Sequence, residues 1–201
     1  MRTLPVMIAA LALCAIARSA CAQTPGSWFA EVSAAFVFGQ AGWQDFESHV
    51  IGGGAAWNAT IGRQTLPWLA FTGDVGVLQV HETLYTFILE DRWTIDDAAH
   101  ATLLAGVRLE PPVRSGPAPS LELGTGLGWL RWGDRHFTSI NSRGFTIAGD
   151  HDVAWGWSAA FRLRFATQRR ALTPQAMVRA VGFYEQGHST SMTTLGFGLR
   201  Y

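Results

Sequence analysis

Lysine is missing from this 201-residue chain: all 15 basic residues are arginine, and 15 Asp and Glu match them. With no positive excess there is no electrostatic footprint for a nucleic acid backbone. Charge of either sign is scarce, at 15% of residues, while 48% are hydrophobic, a balance that excludes a disordered chain. Cysteine is nearly absent. Cys14 and Cys21 both fall in the first 22 residues, so no disulfide staples the remainder. After residue 22 no apolar run reaches the ~20 residues of a membrane-spanning helix. The sequence has no HExxH, CxxC, P-loop or GxSxG pattern, and neither a metal nor a cofactor is expected. Asp150-His151-Asp152 holds ligand-type residues, but strand neighbours point to opposite faces, so it fits a solvated loop. Gly52-Gly53-Gly54 has no helix after it and reads as a bent strand, not a phosphate loop.

What is present begins with an address. Arg2, the apolar run Leu4 to Ala17 and the small residues of Ala20-Cys21-Ala22 predict a secretory signal peptide over 1–22, cleaved before Gln23. The following segment, 23–201, is expected to form one domain. Its recurring signal is a period of two. Val153, Trp155, Trp157, Ala159, Phe161, Leu163 and Phe165 share one face; Ala154, Gly156, Ser158, Ala160, Arg162 and Arg164 share the other. The same alternation is read over 28–38, 51–61, 69–77, 101–109, 121–129, 176–184 and 193–201, giving eight strands. Short connections (62–67, 110–119, 166–174) mostly alternate with long ones (39–49, 81–99, 130–152), although 186–190 is short. That pattern predicts an all-β, eight-stranded antiparallel up-and-down transmembrane β-barrel.

The bulky face carries most rings, and the other face is mainly Gly, Ala, Ser and Thr with isolated charges. Bulky-out and small-in suits a small barrel in lipid; a soluble sandwich with its rings inside is the alternative. Trp28, Trp68, Phe165 and Tyr201 map to one rim, and Trp129, Trp132, Trp155 and Tyr184 to the other, as two interfacial girdles. The sequence resembles the small eight-stranded outer-membrane β-barrels of Gram-negative bacteria. The ending Leu195, Phe197, Leu199, Tyr201 is similar to their C-terminal insertion signal. The resemblance implies an outer-membrane location, contact with membrane lipid and lipopolysaccharide, and handling by the barrel-assembly machinery.

The inward face is expected to carry a charge network of Glu31, Asp74, Arg108, Glu122, Arg162, Arg164 and Arg179, with Arg200 on the same face and Glu185 near its outer end. An unpaired buried charge is costly, so these groups should pair. Glu122 is the expected partner of both Arg162 and Arg164. A filled lumen is weighed against a narrow channel. An enzyme alternative also stands. Residues 121–128 and 178–181 resemble parts of the outer-membrane lipid A 3-O-deacylases, but the family's His-x-Ser-Asn stretch aligns with Gly182-Phe183-Tyr184-Glu185. If such hydrolysis exists, His188 and Ser189 in a following loop, with Glu185 as orienting acid, are the residues to test. The main expectation is a structural or surface-interaction role without enzymatic activity. Long loops rich in Trp43, Phe46, Tyr85 and Phe87 would then face a surface partner, although Thr83–Leu89 reads better as a strand extension beyond the membrane, paired with its neighbour; Arg131, Arg135 and Arg143 in the third long loop would face lipid phosphates.

Overall fold

The structure, a computed structural model, describes residues 25–42, 49–50, 53–80, 83–86, 92–113, 116–139, 142–166, 172–185 and 188–201. The expected signal peptide lies outside them. In chain order the strands are β1 (Trp28–Gly42), β2 (His49–Val50), β3 (Gly54–Leu66), β4 (Leu69–Val80), β5 (Thr83–Thr86), β6 (Arg92–Ile95) and β7 (Ala98–Leu109). They continue as β8 (Gly116–Arg131), β9 (Arg135–Ser139), β10 (Ser142–Ile147), β11 (His151–Ala166), β12 (Thr173–Glu185) and β13 (His188–Arg200).

Eight of these close an antiparallel barrel in the order β1-β13-β12-β11-β8-β7-β4-β3. Each neighbours the next along the chain, and β1 with β13 forms the seam, where Glu31 stands opposite Arg200 and Phe36 opposite Leu195. Closure satisfies both edges of every barrel strand, as a wall in lipid requires. The barrel strands are the eight that the alternation marks out, with shifted ends. β3 runs on to Leu66, through most of the expected 62–67 connection. Gly54 opens β3 and Gly53 precedes it, and Gly52 lies outside the described residues. Pro117 and Pro119 lie where β8 has outrun β7, whose pairing stops at Leu109 opposite Leu121. A missing N–H costs least in such a one-sided stretch.

The bulky face is outside. Phe36 is 77% exposed and Phe197 72%, whereas Glu31, Asp74, Arg108 and Glu122 are buried. This overturns the soluble-sandwich alternative, in which the rings would be inside. In water such a belt would be an apolar patch far beyond what a soluble monomer exposes. Trp155 and Phe165 stand ten residues apart on β11. With a rise of about 3.3 Å and a tilt of about 40° they are ~25 Å apart along the axis, the height of a transmembrane apolar band. Two phenylalanine rings among the described residues point inward. Phe29 lies opposite Gly62, where an added Cβ would come within 2.1 Å of its ring, and Phe183 crowds Gly128 in the same way. These glycines leave room for rings in a lumen otherwise too narrow.

Candidate functional site: a filled lumen and an extended outer wall

The end of the lumen nearest the short connections is ionic. Arg108 is clamped between two carboxylates. Its Nη1 and Nη2 meet Glu31, the latter at 2.8 Å, and its Nε donates to Glu122 Oε2 at 2.7 Å. Arg162 Nη1 lies 2.8 Å from Glu122. Arg164 does not reach Glu122 as expected. It pairs with Glu110 at 2.6 Å, which Arg200 also binds at 2.6 Å. The sequence reading missed Glu110 because β7 ends at Leu109, yet the period of two, carried past Arg108, puts residue 110 on the same inward side. Burial opposes the Glu110 carboxylate, but Arg200 and Arg164 hold its carboxyl below the ordinary 4.5. Arg200 also covers the Phe29 ring at 3.9 Å.

One level further in, Arg179 binds Asp74 through both terminal nitrogens, at 2.6 and 3.2 Å. Thr60 Oγ1 donates to the same carboxylate at 2.9 Å and Asn58 Nδ2 at 3.3 Å. All seven residues of the expected network therefore face the lumen, and each lies within an ion pair. Such bidentate, charge-assisted contacts are what allow buried ions to persist.

The other half of the lumen is apolar. Val37, Leu78, Val80, Leu130, Val181, Phe183 and Met192 form one buried cluster. Trp132, expected in the outer girdle, instead packs half-buried on this cluster, with its ring 4.8 Å from that of His100. His100 is 1% exposed, and neither ring nitrogen has a hydrogen-bond partner among the described residues.

Beyond the apolar half, β2, β5, β6, β9 and β10 form a second sheet in the order β10-β9-β6-β5-β2. Its register continues the barrel's. Ala99 pairs with Arg131, and six residues further along Trp93 pairs with Phe137, with no residue slipped. The same holds from Arg131↔His151 to Phe137↔Phe145, and from Gln79↔Ala99 to Tyr85↔Trp93. Five adjacent barrel strands thus extend upward as one wall, and its outward face stays in phase. Arg131 is the last residue of β8, on the outward face beside His151, and is not in a loop as expected. This pair lines a groove of about 460 Å³ together with Asp152, Val77, Ala101, Trp129 and Val153. The side chains of Arg135 and Arg143, and Trp43, Phe46 and Phe87 altogether, lie outside the described residues.

His188 and Ser189 open β13 instead of lying in a loop, with Glu185 paired to His188 and Tyr184 to Ser189 along the backbone. The side chains of the hydrolase candidates Glu185, His188 and Ser189 lie outside the described residues. Asp150, His151 and Asp152 run into the start of β11, and no metal-holding cluster occurs among the described residues.

No family model matches this sequence, and no curated protein resembles it in sequence. Solved structures do match its fold. Neisserial surface protein A aligns at a TM-score of 0.52 with 11% identity, over 86% of this chain and 94% of that one. Ail of Yersinia pestis aligns at 0.47 with 13% identity, over 89% and 100%. OprG of Pseudomonas aeruginosa aligns at 0.45 with 9% identity, over 90% and 98%. These relatives do not carry the deacylase resemblance. The chain has the fold of the small eight-stranded outer-membrane β-barrels.

Proposed function

We propose that this is an integral outer-membrane barrel, exported by a cleaved signal peptide over 1–22, that acts at its surface and neither conducts ions nor hydrolyses lipid. The lumen carries the reading. Ion pairs fill one half and an apolar cluster fills the other, so an ion crossing would have to break the first and dehydrate in the second. The exposed belt supports lipid contact along the wall, and Arg131 at the rim suits the phosphates of lipopolysaccharide. Leu195, Phe197 and Leu199 face outward on β13, and the backbone N–H of Tyr201 donates to Ala30 at 2.8 Å. That outward apolar face fits recognition by the barrel-assembly machinery. The extended wall is the part available to a surface partner.

Orientation gives a direct test. The chain after residue 21 lacks cysteine, so a single introduced thiol is unambiguous. In intact cells Ile147→Cys, on the extended wall, should react with a membrane-impermeant maleimide. Pro111→Cys, in a short connection, should react only after lysis. The reverse pattern, or equal labelling of both, overturns the reading.

A further inference from the structure

The charges of the ionic half do not balance. Asp74 and Arg179 form a matched pair. In the layer nearer the short connections, among the described residues, three carboxylates (Glu31, Glu110 and Glu122) meet four guanidiniums (Arg108, Arg162, Arg164 and Arg200). The chain cannot correct this surplus of one positive charge by itself. Arginine does not lose its proton inside a protein, and protonating a carboxylate would enlarge the surplus. An uncompensated buried charge is costly, so the balancing charge has to come from outside the chain.

Arg162 marks where. Arg108 takes the close contacts of Glu31 and shares Glu122, while Arg164 and Arg200 share Glu110. Arg162 is left with a share of Glu122, and its Nε stands 3.8 Å from Glu31 Oε2. That Nε is buried without a hydrogen-bond partner, and so is Nε of Arg179. Arg162 is 2% exposed and Arg179 1%. The register makes them neighbours. Arg162 pairs with Met177 on β12, and Ala160 pairs with Arg179. The two arginines thus stand diagonally on the lumen face, about 7–8 Å apart at their bases.

We infer that Arg162 and Arg179 hold one small monovalent anion, such as chloride, inside the lumen. Their unpaired N–H groups supply the donors, and the surplus charge supplies the attraction. Phosphate, larger and more highly charged at neutral pH, would overshoot a surplus of one. The apolar cluster of the other half closes the lumen beyond the site, so the anion is a fixed counter-ion and not a permeating one. The inference needs the barrel and its charges, and it stands apart from the surface role.

The test uses the barrel, residues 23–201, refolded in detergent and shown to be folded by its heat-dependent gel mobility. Radioactive chloride is measured by equilibrium dialysis in gluconate buffer. The parent should retain about one chloride per barrel, displaced by bromide and not by gluconate or inorganic phosphate. Its melting temperature should rise with chloride at constant ionic strength. Arg162→Met removes the surplus and should cut retention at least tenfold. Ser120→Asp places a fixed carboxylate across from Arg162 and should do the same while keeping every arginine. If Arg162→Met does not fold, Ser120→Asp decides. Arg131→Gln, which removes a positive charge outside the lumen, should retain chloride like the parent. No bound chloride in folded parent, undiminished retention in a folded Arg162→Met or Ser120→Asp, loss in Arg131→Gln, or displacement by phosphate as readily as by bromide overturns the inference.

Discussion

The two halves of the lumen solve one packing problem by opposite means. Near the short connections Arg108, Glu31 and Glu122 fill space with ions that exclude one another unless paired. Near the extended wall Leu130, Phe183 and Met192 fill it with hydrocarbon. The ionic half depends on partner geometry, and so it should fail steeply when one member is removed. The apolar half depends on volume, and it should fail in proportion to the atoms lost. Specificity of register resides in the first, and exclusion of water in the second.

Arg108→Met breaks the comparison hardest. It leaves Glu31 and Glu122 without their shared clamp, and uncompensated buried charge costs about 3–5 kcal/mol. Urea unfolding in lipid vesicles should show that loss. Phe183→Ala attacks the apolar half and should cost about 3 kcal/mol by cavity formation, with the register kept and the folded gel band merely melting at a lower temperature. Glu110→Gln sharpens the ionic side. Its folded carboxyl titrates below 4.5, so its pairs contribute fully above about pH 4.5 and are lost as pH falls through the depressed value. The variant should lose about 2 kcal/mol at pH 7 and show a flatter decline as pH falls below 4.5. His100→Leu is the smallest change and has the opposite sign. The imidazole has no hydrogen-bond partner among the described residues, so an apolar replacement should be neutral or stabilising by up to about 1 kcal/mol. A loss above that in thermal melts would show that His100 is held by a polar contact.

The barrel was legible because lipid imposes a strict rule on every spanning strand. The face of Trp155, Phe161 and Phe165 is apolar along its whole length, so the period of two survives even where β3 and β12 are weakly patterned. The ionic half was legible for the same reason, since each charge sits at an inward position of a recognisable strand. Glu110 escaped because it lies one residue past the end of β7. Trp132 was misplaced because bulk alone does not tell a girdle ring from one turned in over the mouth. The apolar half was hidden, because Leu130, Val181 and Phe183 break an alternation that otherwise assigns small residues inward. The second sheet was not legible as a whole in the sequence, because β2, β5, β6, β9 and β10 come from three separate connections and only the strand register aligns them.

The most direct test of a lumen sealed twice is electrical recording from the refolded barrel, residues 23–201, in planar bilayers. The account predicts no unitary conductance steps from the parent, and none from Phe183→Ala, whose ionic half still closes the path. Reproducible steps from folded parent protein would contradict it.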